Sequence, residues 1–351
     1  MIFAFKNLIK YTVSLLIFFT APLLAKAHEV YVLSPEEIDE LTKLPPISYV
    51  DIFNTYLSET IIWAIAVGLI IVTVFIISIS VKLEDKFDKH LVKLKRFAPF
   101  IARVTVGIAF IMCAYHAALF GPELPFVDLF GGWEQFMQVV IFAIGALMVL
   151  GIHSRIAGLV GVAIFSFAIY KEGLYMLTYL NYLTEFLVLI LIGGHKFTIS
   201  DTKHVWWKIT KFLNYLASKY GEFAFLILRV GFGVSLIYSA VYAKILHNQL
   251  SMAVVENFDL ITVFGLPAEF IVFGAGIIEI LIGVFFILGI EIRFTAIVIN
   301  VFLTLSLFYF GEAVWPHIVL IGIPIAFFCY GYDKYSLEGY FFKKGNREPI
   351  F

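Results

Sequence analysis

Charge is scarce in this chain, and what there is nearly cancels. Only 15% of its 351 residues are charged, and the formal net charge is −1 at pH 7. No basic field exists to hold nucleic acid, so that class of partner is excluded. Cysteine is scarcer still. Cys113 and Cys329 are the only two, far apart in sequence, which excludes a CxxC redox pair and a thiolate metal cage. Each is expected to fill space as a small buried hydrophobe. No P-loop, dinucleotide fingerprint, nucleophile elbow or HExxH pattern occurs. Nor is there a sizeable soluble domain, so a large cofactor has nowhere to sit outside a membrane. An electron carrier, if one is used, must be a lipid-soluble molecule or a partner subunit.

Apolar residues are what the chain does have. They make up 61% of it, including 38 phenylalanines, and the mean hydropathy is +0.95. Soluble domains run nearer half apolar and a quarter charged, so the lipid bilayer is the expected solvent. The start reads as a targeting segment: Lys6 and Lys10, an apolar run from Tyr11 to Leu24, then Ala25-Lys26-Ala27 as a cleavage site. Residues 1–27 are thus expected to be a cleaved signal peptide that leaves His28 as the mature N-terminus, an uncleaved signal anchor being the alternative. In the polar extracytoplasmic segment 28–58, Ser34-Pro35-Glu36-Glu37 starts a short helix that ends near Lys43, ahead of Pro45-Pro46. Runs long enough to span follow at 59–81, 97–119, 133–151, 155–171, 174–194, 222–246, 267–289, 292–310 and 314–331. The expected fold is an all-α polytopic membrane protein.

Basic residues set the expected orientation. With 28–58 outside, the linker 82–96 is cytoplasmic and carries Lys82, Lys86, Lys89, Lys93, Lys95 and Arg96. Arg155, the lysines of 196–219, Arg293 and the tail 333–351 with Lys334, Lys343, Lys344 and Arg347 also fall inside. Only Lys43, Lys171 and Lys244 fall outside or at the outer edge. The signal peptide gives the same answer independently: a multi-pass protein of the plasma (inner) membrane, mature N-terminus outside, C-terminus cytoplasmic. The linker 197–221 places Val205, Ile209, Phe212, Leu213 and Leu216 on one helical face and most of its lysines on the other. With Trp206 and Trp207 it reads as a helix lying on the cytoplasmic surface.

That linker divides two similar halves. Ala102-Arg103-Val104-Thr105-Val106-Gly107 matches Leu228-Arg229-Val230-Gly231-Phe232-Gly233, and Leu150-Gly151-Ile152-His153-Ser154-Arg155 matches Leu288-Gly289-Ile290-Glu291-Ile292-Arg293. Gly193 and Gly331 close the two units. With four spans each, both units insert the same way, giving a parallel repeat of four-helix bundles at 97–196 and 222–332, preceded by the extra span 59–81. The second unit resembles the DoxX family through Arg229-Val230-Gly231-Phe232-Gly233, Lys244, Gly265-Leu266-Pro267, Gly274-Ala275-Gly276-Ile277-Ile278-Glu279 and Leu288-Gly289-Ile290-Glu291-Ile292-Arg293. The first unit has Ala118 in place of the lysine and Ile141 in place of the glutamate, and resembles a decayed copy. What the resemblance implies is a membrane subunit of a quinone-linked redox system, as some DoxX relatives are, in a functionally mixed family.

Function in such a chain should show in intramembrane charge, which is costly unless paired. Arg103 and Arg229 lie near helix ends and are expected to snorkel to the headgroups. Glu279 is too deep for that. It is either protonated or paired with a cation, and Lys244 and His317 are the candidates. These three form the candidate catalytic cluster, with Glu279 and Lys244 as the residues to meet a quinone headgroup. A structural role, with Glu279 merely bridging helices, is the competing reading. Glu185, one turn after Asn181, faces either the same interior or its own half, against Arg103. His28, His116, His247 and His317 match no metal-ligand spacing and read as scattered interfacial residues, so no metal is assigned. Three functions remain: a quinone-linked redox subunit with a membrane partner subunit, a non-catalytic scaffold or assembly factor, and a small-molecule permease.

Overall fold

Inside a bilayer the backbone must satisfy its own hydrogen bonds, so apolar runs of this length fold as helices. The computed structural model describes residues 35–50, 90–193, 207–310 and 314–342, with Leu33 and scattered positions between 68 and 87. The signal peptide, His28, most of the span 59–81, part of 82–96, Trp206 and the residues 343–351 lie outside the described residues.

Among the described residues the chain is all-α, apart from one isolated bridge between Ala118 and Pro125. The helices are α1 (Pro35–Thr42), α2 (Ala98–His116), α3 (Phe126–Phe130), α4 (Glu134–Leu150), α5 (Ser154–Glu172), α6 (Leu180–Ile192) and α7 (Trp207–Tyr220). They continue with α8 (Ala224–Val241), α9 (Asn248–Asn257), α10 (Leu260–Phe264), α11 (Ala268–Leu288), α12 (Ile292–Phe310) and α13 (Val314–Tyr330). Among the described residues six helical stretches are long and apolar enough to cross a membrane, and Val314–Tyr330 is a shorter apolar helix. One stretch, Ser154–Ile192, folds back at Gly173 (φ +61°). Its arms α5 and α6 are antiparallel: a Cβ on Gly158 would meet Leu189, and one on Gly161 would meet Phe186. The expected helix 174–194 therefore opens with a 3₁₀ stretch, Gly173–Tyr179. Pro324 lies within α13 without ending it.

The Leu-Gly-Ile-x-x-Arg motifs are helix-hairpin turns. Gly151 and Gly289 sit in the left-handed region at φ +72° and +68°. The next N–H groups, of Ile152 and Ile290, donate to Leu147 and Phe285 carbonyls at 2.9 Å. That bond satisfies a carbonyl the helix end leaves open, and glycine reaches the conformation without a Cβ penalty. The chain then starts α5 or α12 at once.

Glycines also decide which helices touch. A Cβ on Gly145 would lie 2.7 Å from the Gly107 carbonyl, and one on Gly283 would lie 2.7 Å from the Gly233 carbonyl. The pairs α2–α4 and α8–α11 are thus in backbone contact, the arrangement small residues permit where lipid supplies no hydrophobic drive. Two further crossings join the halves of the chain. α13 packs on α2 and α6 packs on α8, with Gly322 against Thr105 in one and Gly231 against Thr184 in the other. Each crossing matches one threonine with one glycine, and the two are reversed between them.

Aromatic rings fill the space between these crossings. Phe110 meets Phe186 edge-on at 5.1 Å, and Phe232 meets Phe286 and Phe327 at 5.3 and 5.8 Å. Cys113 and Cys329 are both free and buried. On α12 the large residues Val301, Leu305 and Phe308 form one exposed stripe, as do Phe136 and Val139 on α4. Contiguous exposed apolar surface of this kind is matched by lipid. In α7, Leu213 is buried and Leu216 packs on the core, while Phe212 points outward with Tyr215. The inward face of this helix is narrower than the sequence pattern suggests, because only the edge beside α6 is covered.

The α2–α13 crossing can be tested directly. A Cβ on Gly322 would lie 2.6 Å from the Thr105 Cβ, so Gly322→Thr should destabilise the protein by about 1–3 kcal/mol. Adding Thr105→Gly should recover most of the lost thermal midpoint in detergent; independent losses from the two changes would contradict the crossing.

Candidate functional site

A nearly buried charge pair in the second half starts from an irregularity. α8 ends in a π turn, Tyr242–Leu246, which widens the helix by a residue and is a local form common at functional sites. The turn closes with the His247 N–H donating to the Tyr242 carbonyl at 2.9 Å. Lys244 sits in its middle, with only 5% of its surface exposed. Facing it on α11 are Gly276 and, one turn on, Glu279. A Cβ on Gly276 would just touch the Lys244 side chain at 3.4 Å, so this glycine leaves the stem a lane to lie in. At its end the Lys244 Nζ meets Glu279 Oε2 at 3.2 Å, with both side chains nearly buried.

A segment from the start of the chain covers this pair. Ile47 and Asn248 exchange two hydrogen bonds: the Ile47 N–H donates to Asn248 Oδ1 at 2.9 Å, and Asn248 Nδ2 donates to the Ile47 carbonyl at 2.8 Å. Gln249 Nε2 donates to the Pro45 carbonyl at 3.2 Å. Tyr49 donates its hydroxyl to the Lys244 carbonyl at 2.6 Å, and its ring lies 5.0 Å from that of Phe273. Burial raises the pKa of the Tyr49 phenol, against the smaller effects of Asn248 and Lys244, so it stays a hydrogen-bond donor. Sequence reasoning did not find Tyr49, Asn248 or the π turn. The one available signal was the polar run His247-Asn248-Gln249 directly after Lys244.

The remaining candidates stand on other helices. His317 is buried in the first turn of α13. Two residues earlier, Trp315 stacks on His116 at 5.1 Å, and His247 packs against Tyr242 at 4.6 Å. Among the described residues no group of three His, Cys, Asp or Glu side chains could hold a metal ion. Arg103 and Arg229 do not snorkel as expected: they are 0% and 3% exposed. Arg229 instead donates to the Tyr335 carbonyl at 2.9 Å, because the chain after α13 folds back beneath the α11–α12 turn. There Glu338 Oε2 accepts from the Ile292 N–H at 2.8 Å, and the Glu338 N–H donates to the Gly289 carbonyl at 2.9 Å. Glu185 is buried on α6 and contacts Thr105 rather than Arg103.

Chemically, the site offers a cation and a carboxyl that neutralise each other in an apolar surround. Removing either would strand the other. It also lies close to lipid: Ile278 and Leu281, flanking Glu279, and Ile245 and Leu246, following Lys244, are exposed apolar residues. Ala118 and Ile141, which the sequence comparison sets opposite the lysine and the glutamate, are apolar and buried.

No curated protein and no solved structure matches the chain. The DoxX family model matches residues 224–312, a region that runs from α8 through α12 and holds both Lys244 and Glu279. The chain is therefore an integral membrane protein whose C-terminal region is DoxX-like.

Proposed function

We propose that this protein is a quinone-linked membrane redox subunit, with Lys244 and Glu279 receiving the quinone headgroup. The observation that carries the reading is their nearly buried ion pair, held on a π turn inside the DoxX-matched region and bordered by lipid-facing residues. These residues suit such a ligand, which diffuses within the bilayer and presents two carbonyl oxygens. A bound quinone supplies an acceptor for two electrons and two protons. The Lys244 ammonium donates a hydrogen bond toward one carbonyl oxygen, and Glu279 holds or passes a proton beside it. Tyr49 and Asn248, by tying residues 45–49 over the π turn, keep water from the pair. Electrons come from a partner subunit, since the chain carries no redox centre of its own in this reading. His317 is the proposed third member; quinone retention unchanged in His317→Gln would remove it from the site.

The same reading takes the two halves as a duplicated four-helix unit in which the second kept the site. The paired backbone contacts Gly107–Gly145 and Gly233–Gly283, and the reversed Thr105–Gly322 and Gly231–Thr184 crossings, support that view. With the cleaved signal peptide and the basic linkers, it puts the Lys244–Glu279 pair toward the outer side of a plasma (inner) membrane. A scaffold or assembly factor is the second reading, favoured by the two hydrogen bonds between the Ile47 main chain and the Asn248 side chain that hold this segment on α9.

Mass spectrometry of the organic extract should find stoichiometric quinone in wild-type protein and none in Glu279→Gln. No quinone in either would favour the scaffold. Stability separates the pair's structural part from its chemistry. Lys244→Met or Glu279→Leu alone should cost about 3–5 kcal/mol, the double substitution much less. If the double variant regains the wild-type thermal midpoint and still lacks quinone, the pair acts in binding; quinone retained by the double variant would show that it does not.

A further inference from the structure

A second intramembrane carboxyl lies where the halves of the chain meet, apart from the Lys244–Glu279 pair. Glu185, on α6, is 1% exposed. Its Oε1 has one neighbour, the Thr105 hydroxyl of α2, at 3.4 Å, and its Oε2 has no hydrogen-bond partner among the described residues. The Thr105 Oγ1 also lies 2.8 and 3.0 Å from the carbonyls of Ile101 and Ala102. A hydroxyl has one hydrogen to give, and the nearer backbone carbonyl takes it. The hydrogen between Thr105 and Glu185 then belongs to the carboxyl, with the threonine oxygen as acceptor. An acid in membrane with no cation beside it is tolerated in this neutral form.

The groups leading away from Glu185 are polar. Asn181, one turn earlier on the same face of α6, is 1% exposed. Its Oδ1 lies 3.2 Å from the Ser235 hydroxyl oxygen of α8, whose single hydrogen goes to a nearer carbonyl. That carbonyl belongs to Thr178, in the 3₁₀ stretch that precedes α6. Asn181 Nδ2 is buried without a hydrogen-bond partner among the described residues. A buried donor on Asn181 and a buried acceptor on Glu185, one turn apart, are complementary, and one water between them would satisfy both. An acid serving only to brace two helices would have its polar atoms paired.

We propose that Glu185 is a proton-binding site between the two halves, exchanging its proton with solvent at the start of α6 through water held beside Asn181 and the Ser235 hydroxyl. The step is a proton transfer alone and needs no oxidant or reductant. It does not depend on the quinone reading, since Glu185 and Glu279 stand on different helices and share no partner.

Infrared difference spectra of the purified full-length protein test it. Wild type minus Glu185→Gln should show the carbonyl band of one protonated carboxylic acid at neutral pH. That band should shift promptly in heavy water, and Ser235→Ala should slow the shift about tenfold or more. The absence of an acid band removed by Glu185→Gln, or a band still unshifted after prolonged exchange, overturns the proposal; so does an unslowed shift in Ser235→Ala. Should Glu185→Gln fail to fold, dicyclohexylcarbodiimide decides on wild-type protein. This apolar reagent adds to protonated carboxyl groups and leaves an N-acylurea. An adduct mapped to Glu185 supports the site, and none overturns it.

Discussion

Backbone contact between helices at glycine is the constraint on which the rest of this structure depends. Lipid tails solvate an apolar helix face as well as another helix does, so helices in a bilayer are held by close packing and by polar contacts rather than by escape from solvent. Gly107 with Gly145 and Gly233 with Gly283 bring two helix pairs together until carbonyl oxygens meet the opposing backbone. The Thr105–Gly322 and Gly231–Thr184 crossings then lock the halves into one body. A side chain added at Gly107, Gly145, Gly233 or Gly283 must displace backbone, and one added at Gly231 or Gly322 must displace a threonine side chain.

Two such groups show what that geometry achieves. Lys244 reaches Glu279 because the π turn aims it inward and Gly276 leaves room for its stem. Asn181 and Glu185 are buried because α6 packs against both α2 and α8, and the same packing brings Ser235 to Asn181. One carboxyl is thus neutralised by a cation and the other by holding a proton in the proposed reading. The two solutions occur in one bundle, on α11 and on α6. They differ because Glu279 has Lys244 across from it while Glu185 meets only the Thr105 hydroxyl.

The chain ends of the bundle are managed in the same way. Arg229, expected to reach the headgroups, is capped by the carbonyl of Tyr335, and Glu338 caps the start of α12. Charged residues near the membrane surface are therefore used to fasten a returning segment rather than left to solvent. Residues 45–49 do the equivalent at the Lys244 turn through Asn248 and Tyr49. In both places a backbone segment supplies partners that no single helix could offer.

From the sequence alone follow the all-α membrane architecture and the long apolar helices between 97 and 331, with helix ends at Gly151 and Gly289, but not the short helices α3, α9 and α10. Long apolar runs have one stable form in lipid, and glycine has one common use at a helix end. That Glu279 must be either protonated or paired with a cation such as Lys244 or His317 was also legible, because an uncompensated charge there is too costly. The tertiary structure alone decided which helices cross between the halves, that Lys244 sits on a π turn under Tyr49, and that Glu185 faces Thr105 and not Arg103. Those outcomes depend on contacts between residues far apart in the chain, and helical periodicity fixes a residue's face without saying which neighbour will cover it.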